Sequence, residues 1–91
     1  MSLRDRIAEW DEDVLLADGF DAAFVGLAER CGSVPVAVYD RARCIQVLVA
    51  RDGMSEEEAE EYFDFNVLGA YVGERTPWFI TSENPQEHDV A

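Results

Sequence analysis

The chain contains no lysine, and its one histidine, His88, lies near the C-terminal end. All basic residues are arginine, 7 against 20 aspartates and glutamates, for a formal net charge of -13 over 91 residues. Proteins hold nucleic-acid backbones with cations that replace condensed counterions, so this balance argues against direct DNA or RNA binding. A histidine at the far end leaves serine, threonine and cysteine nucleophiles without a base and argues against Ser/His and Cys/His catalysis. Cys31 and Cys44 form no CxxC motif and have no histidine nearby, which argues against redox catalysis and a zinc site. No apolar run approaches the roughly 20 residues that cross a bilayer. The opening "MSLRDRIAEW" is followed by "DEDVLLADG" rather than by the apolar core of a secretory signal, and the expected compartment is the cytoplasm.

What remains is a globular composition. Hydrophobic residues make up 48% and aromatics 11%, too much for a disordered chain. The length allows one small domain, expected over 1–80, with 81–91 a polar, frayed tail. A chain this short buries a modest share of its surface, so homodimerisation stays open as a source of stability.

Three readings of the acidity compete. It serves solubility in a GC-rich or salt-loving organism, it occupies a basic nucleic-acid-binding groove on another protein, or it binds metal. Calcium loops need oxygen ligands at set spacing around a turn glycine, and neither "DED" at Asp11–Asp13 nor "SEEEAEE" at Ser55–Glu61 has that pattern. No metal and no cofactor is expected. Carboxylate pairs could serve a hydrolase, but so many carboxylates single out none, and no catalytic residue is assigned.

Along the chain, Leu3, Ile7, Trp10 and Val14 share one face of a helix expected over Ser2–Leu16, capped by Ser2 with Asp5 at the third helical position. After Gly19, the residues Phe20, Ala23, Phe24, Leu27, Ala28 and Cys31 recur at helical spacing and predict a second helix ending at Gly32. Gly26 within it costs roughly 1 kcal/mol against alanine, and close packing against a neighbouring backbone would explain it. Val34, Val36 and Val38 alternate as a strand that either lies at an edge or begins at Pro35. Asp40 then caps a helix bearing Cys44, Ile45, Leu48 and Val49 and closed by Gly53. Ser55 and Glu58 form a capping box for a fourth helix, whose buried side carries Ala59, Tyr62, Phe63, Asn66, Val67 and Ala70 up to Gly73. "TPWFI" predicts a second strand pairing with Val34–Tyr39. The expected fold is α+β, about four helices packed on a short two-stranded antiparallel sheet.

The candidate contact residues follow from this frame. Asn66 either ties the fourth helix to the "VGERTP" turn or contacts a ligand or partner. Gly69 and Gly73 serve close contact and helix ending. Trp78 and Phe79 must point to opposite faces of a strand; one enters the core, and Trp78 is either covered by Leu3, Ile7 and Trp10 of the first helix or exposed as an interface anchor.

From "DGFDAAFVGLAERCG" through "VAVYD" and "DGMSEEEAEEYFDFNVLGAYVGE" to "TPWF", Asp18 to Phe79, the chain resembles a group of small uncharacterised proteins found largely in phage and prophage genomes. The resemblance supplies no catalytic or binding residues. It implies an accessory protein acting in a host cytoplasm that inhibits or modulates host machinery, immunity and restriction systems among it. The leading expectation is a non-enzymatic interaction module binding a host or viral protein, including a basic nucleic-acid-binding one, through Glu56, Glu57, Glu60 and Glu61 and the exposed part of "GAYVGERTPWF". The alternative is a small-molecule or nucleotide-derivative binder with Asn66, Tyr71, Glu74 and Arg75 around a pocket.

Overall fold

The computed structural model describes residues 2–82; the expected tail, apart from Thr81 and Ser82, and His88 lie outside them. Ser2 caps α1 (Leu3–Ala8) through a reciprocal pair with Asp5, so the chain enters its first helix where the cap pattern indicated. The helix stops well short of Leu16. The Asp11 carboxylate accepts the backbone N–H of Asp13 at 2.9 Å and the Arg75 guanidinium at 3.1 Å, and this local bonding competes with further helical turns. Trp10, expected on the buried face, is consequently 77% exposed.

The second expected helix is a strand. A 3-10 turn (Asp21–Ala23) leads into β1 (Phe24–Ala28), which pairs antiparallel with β2 (Val36–Asp40). The register places Phe24 opposite Tyr39 and Gly26 opposite Val38, leaving Val25 as the extra residue of a β-bulge. A bulge flips the alternation, so Phe24 and Leu27, three apart, reach the same face, and both pack on the core. That spacing imitates a helical stripe. Gly26 then needs another account as well: a Cβ there would meet nothing within 4 Å, so no backbone presses against it.

β2 begins just after Pro35, which lets it be the central strand of a three-stranded sheet in the order β1-β2-β3. β3 (Trp78–Ile80) pairs with β2 as expected, but in parallel. The expected two-stranded antiparallel sheet is corrected to a mixed one because α2, α3 and a further helical segment lie between the strands, and parallel neighbours require such a crossover. Among the described residues, three α-helices stand in place of about four.

α2 (Arg41–Asp52) starts directly from β2: the Asp40 carboxylate accepts the Ala42 N–H, and left-handed Gly53 (φ 69°) ends the helix. It buries Cys44, Ile45 and Leu48. α3 (Glu56–Tyr62) has the full capping box, Ser55 N–H to Glu58 Oε1 at 2.9 Å and Glu58 N–H to Ser55 Oγ at 3.1 Å. It widens into a π-helix (Phe63–Leu68) that stops at Gly69, where a Cβ would lie 3.1 Å from the carbonyl oxygens of Asp64 and Phe65.

The core lies between the inner sheet face and the helices. Phe24, Tyr39, Phe79 and Phe63 form a run of ring contacts with centroids 5.6, 5.7 and 5.0 Å apart, and Tyr39 and Phe63 are wholly buried. Because space around Gly26 is open and its φ is not left-handed, Gly26→Ala should stabilise the protein by about 0.4–1 kcal/mol through the unfolded chain. Chemical denaturation checks this, and a loss of stability would show that the site tolerates no side chain.

Candidate interaction surface

The loop between α1 and the 3-10 turn has no strand or helix of its own to hold it. It is fixed by side chains from elsewhere. The Tyr39 hydroxyl accepts the Ala17 N–H at 2.8 Å, and Val14 and Phe20 bury into the core on either side. The Arg51 guanidinium donates to the Gly19 carbonyl at 3.2 Å and lies 5.6 Å from the centroid of Phe20. A planar guanidinium can donate and stack at once, which an ammonium does less well. Arg41 repeats the arrangement, pairing with Asp64 at 2.8 Å while covering the Phe63 ring.

Across from this loop runs the π-helix and the turn that follows it. Thr76 organises the turn: its hydroxyl accepts the Val72 N–H at 2.9 Å and donates to the Gly73 carbonyl, at φ 103°, while the Thr76 N–H also reaches Gly73. Asn66 does not make the bridge expected of it. Its amide donates to the Tyr62 carbonyl at 3.3 Å within its own helix, and the side chain is exposed. Tyr62, Asn66 and Ala70, expected on the buried side, are exposed, Asn66 within the π-helix itself, and the turn is closed by Thr76, a residue that sequence reasoning passed over. "TPWFI" flagged the strand, but a hydroxyl four residues from an N–H partner signals a turn only once the chain is seen to reverse there.

Between loop and π-helix lies a groove of about 530 Å³ lined chiefly by apolar side chains, Leu15, Phe20, Val67, Val72 and Phe79 among them, with Asn66 and Asp18 at its margin. Beside it in the chain, Phe65 is 82% and Tyr71 80% exposed, with Leu68 and Val72 also open to solvent. Such a concentration of exposed apolar side chains is the usual mark of a contact surface.

The other candidate residues are distributed. Trp78 is half exposed on the outer sheet face, opposite in direction to Phe79, and shares a second groove with Glu74, Val34 and Val36. The first helix does not cover it: Leu3, Ile7 and Trp10 line a separate groove with Phe24 and Leu27. Glu56 and Glu60 line a third groove with Arg41, Ile45 and Val49, and Glu57 and Glu61 are exposed on the same helix. Arg75 is committed to structure, bonding Asp11 and the Pro35 carbonyl in a half-buried position. Asn66, Tyr71, Glu74 and Arg75 are therefore not brought around one pocket.

Charge is partitioned by residue type. Among the described residues every ion pair joins an arginine to an aspartate: Arg4–Asp18, Arg41–Asp64, Arg43–Asp40, Arg51–Asp52 and Arg75–Asp11. The glutamates of α3 and Glu74 have no arginine partner in this set. The Asp13 N–H, and after it Arg75, holds the Asp11 carboxyl below its ordinary value, and the Ser55 backbone N–H does the same for Glu58. Among the described residues no cluster of three or more histidine, cysteine or acidic side chains is placed to hold a metal, and no helix is long and apolar enough to cross a membrane. No protein-family model, curated protein or solved structure matches the chain.

Two buried protons shape the pH response of this scaffold. Burial, with Asp40 nearby, pushes the Cys44 thiol from 9.0 up to about 12, and burial likewise raises the Tyr39 hydroxyl. Both groups stay protonated in the fold after their unfolded counterparts ionise, so stability is fully present below pH 9 and falls as pH rises. Denaturation from pH 7 to 11 should show this decline, and Cys44→Ala should flatten its first part, below the tyrosine range near pH 10. A stability that rises with pH above 9 would contradict it.

Proposed function

We propose that this protein is a non-enzymatic, acidic interaction module that inhibits or redirects a basic protein partner, in the setting of a phage or prophage accessory protein acting in a host cytoplasm. The observation that carries the reading is the combination of exposed aromatic anchors, Phe65, Tyr71 and Trp78, with glutamates that no arginine of the described chain neutralises. Aromatic anchors supply interface energy, and an uncompensated negative field accelerates encounter with a basic surface. A basic nucleic-acid-binding groove is the partner surface that this chemistry fits, because the acidic chain would compete there with phosphate.

The small-molecule alternative draws less support, since Asn66 and Glu74 line different grooves, Arg75 is already bonded within the fold and Tyr71 stands exposed. A purely osmotic role for the acidity leaves the exposed aromatics without a purpose.

The test is competition. The protein is titrated into complexes of basic bacterial DNA-binding proteins with labelled duplex, and DNA release is followed by anisotropy at about 50 and about 200 mM salt. Release should occur at low salt and weaken at high salt. The combined Glu56→Gln, Glu57→Gln, Glu60→Gln and Glu61→Gln exchange, or Trp78→Ala, should weaken it about tenfold with unchanged melting temperature. No release from any such complex, together with no protein retained from host extract, would defeat the proposal.

A further inference from the structure

Trp78 does not stand alone on the outer face of the sheet. It lines a groove of about 430 Å³ with residues from all three strand ends and from the turn before β3. The register brings these together. Val36 pairs with Ala28 and Val38 with Trp78, so the end of β1, the start of β2 and the start of β3 lie toward one end of the sheet. In-register neighbours share a face, which puts the indole beside Val38 and opposite in direction to Phe79, which packs on the core. Arg75 supplies the last wall: its guanidinium reaches Asp11 at 3.1 Å and the Pro35 carbonyl at 3.4 Å, tying the turn to the start of β2 and leaving the neighbouring Glu74 exposed on the groove.

The charge of the groove is unbalanced. Glu29 and Glu74 both line it, and neither forms an ion pair among the described residues. Its one cation is already engaged, because Arg30 donates to the Ser33 hydroxyl from Nε at 3.4 Å and from Nη2 at 3.1 Å. Ala28, Val34 and Val36 add apolar, uncharged wall. A half-exposed indole and two unneutralised carboxylates thus face one space. An aromatic face attracts a cation, and a carboxylate bonds it by charge-assisted hydrogen bonds. A planar guanidinium can stack on a ring and direct its edge to a carboxylate at once, which a compact ammonium cannot. The same fold holds an example: Arg41 covers the Phe63 ring while bonding Asp64 at 2.8 Å.

We propose that this groove seats an arginine side chain of the partner, its guanidinium stacked on Trp78 and bonded to Glu74, with Glu29 adding to the attraction. The proposal rests on the interaction-module reading and deepens it, since a basic surface is then recognised through one kind of side chain as well as through its charge. Two roles separate within the molecule. The glutamates of α3 draw in a basic protein, and the Trp78 groove fixes where one of its arginines docks.

The probes are two blocked tripeptides, acetyl-Gly-Arg-Gly-amide and its lysine counterpart, titrated into the isotope-labelled full chain. Binding is read at the indole N–H resonances of Trp78 and Trp10 and at the Val36 amide. The arginine peptide should shift the Trp78 indole saturably, bind at least about fivefold more tightly than the lysine peptide, and leave the Trp10 indole unmoved. Glu74→Gln should weaken it at least about threefold, and Trp78→Leu should abolish the saturable shift at Val36, both with melting temperature unchanged. Asp21→Asn removes a carboxylate outside the groove and should leave the affinity as it is. Equal affinity for the two peptides, equal losses from Glu74→Gln and Asp21→Asn, or a saturable Val36 shift that survives Trp78→Leu would overturn the proposal. If DNA is released from basic proteins and no peptide binds at Trp78, the interaction-module reading stands and the arginine seat falls. Peptide binding without DNA release keeps the seat and removes that reading; if neither is seen, both fall.

Discussion

A tyrosine hydroxyl buried at the centre of a sheet must find a partner, and the partner of Tyr39 is a backbone N–H in a loop that nothing regular supports. The placement of the loop, and with it the groove beside it, depends on this bond. It draws the Val14–Phe20 loop down onto the inner sheet face, where Val14 and Phe20 can bury, and the same ring makes edge contact with Phe24 and a tilted contact with Phe79. One side chain on the middle strand thus touches both neighbouring strands and the loop. The loop so held becomes a wall of the groove, and the groove is where the fold leaves apolar surface uncovered.

The charge of the chain is organised around the same frame. Aspartates take the arginine pairings, and at Arg41 over Phe63 and Arg51 over Phe20 the guanidinium also covers a core aromatic. Glutamates collect on α3 and face solvent. Among exposed groups such ion pairs add little stability each, so the pairing matters more for where it leaves negative charge unopposed than for what it contributes. Arg41 and Arg51 bond and stack at once in a way that a flexible ammonium would fill poorly.

Much of the local structure was legible from residues that act on their nearest neighbours. Ser2, Asp40 and Ser55 cap helices, Gly53 ends one, and the β-branched run after Pro35 is a strand, because capping and turn chemistry depend on a few consecutive residues. The misreadings share a cause in partners distant in sequence. Phe24 and Leu27 keep helical spacing, and only the pairing with β2 shows that Val25 is a bulge. β3 runs parallel to β2 because the chain passes through α2, α3 and the π-helix before it returns to the sheet, a crossover that the order of the expected helices and strands already allowed. Asn66 and Ala70 fell on the buried stripe of an ideal helix, and the π-helix moved that stripe. Of the candidate contact residues, Tyr71 and Trp78 are exposed, whereas Arg75 is bound into the fold by Asp11, sixty-four positions away.

Native-state hydrogen exchange at the Ala17 amide tests the central claim that Tyr39 fixes the groove wall. The account predicts that Ala17 exchanges as slowly as the β2 amides of Ala37 and Tyr39, and that Tyr39→Phe accelerates Ala17 by at least about tenfold while β2 stays protected. Exchange of Ala17 in the unaltered protein at the rate of a free peptide would contradict it.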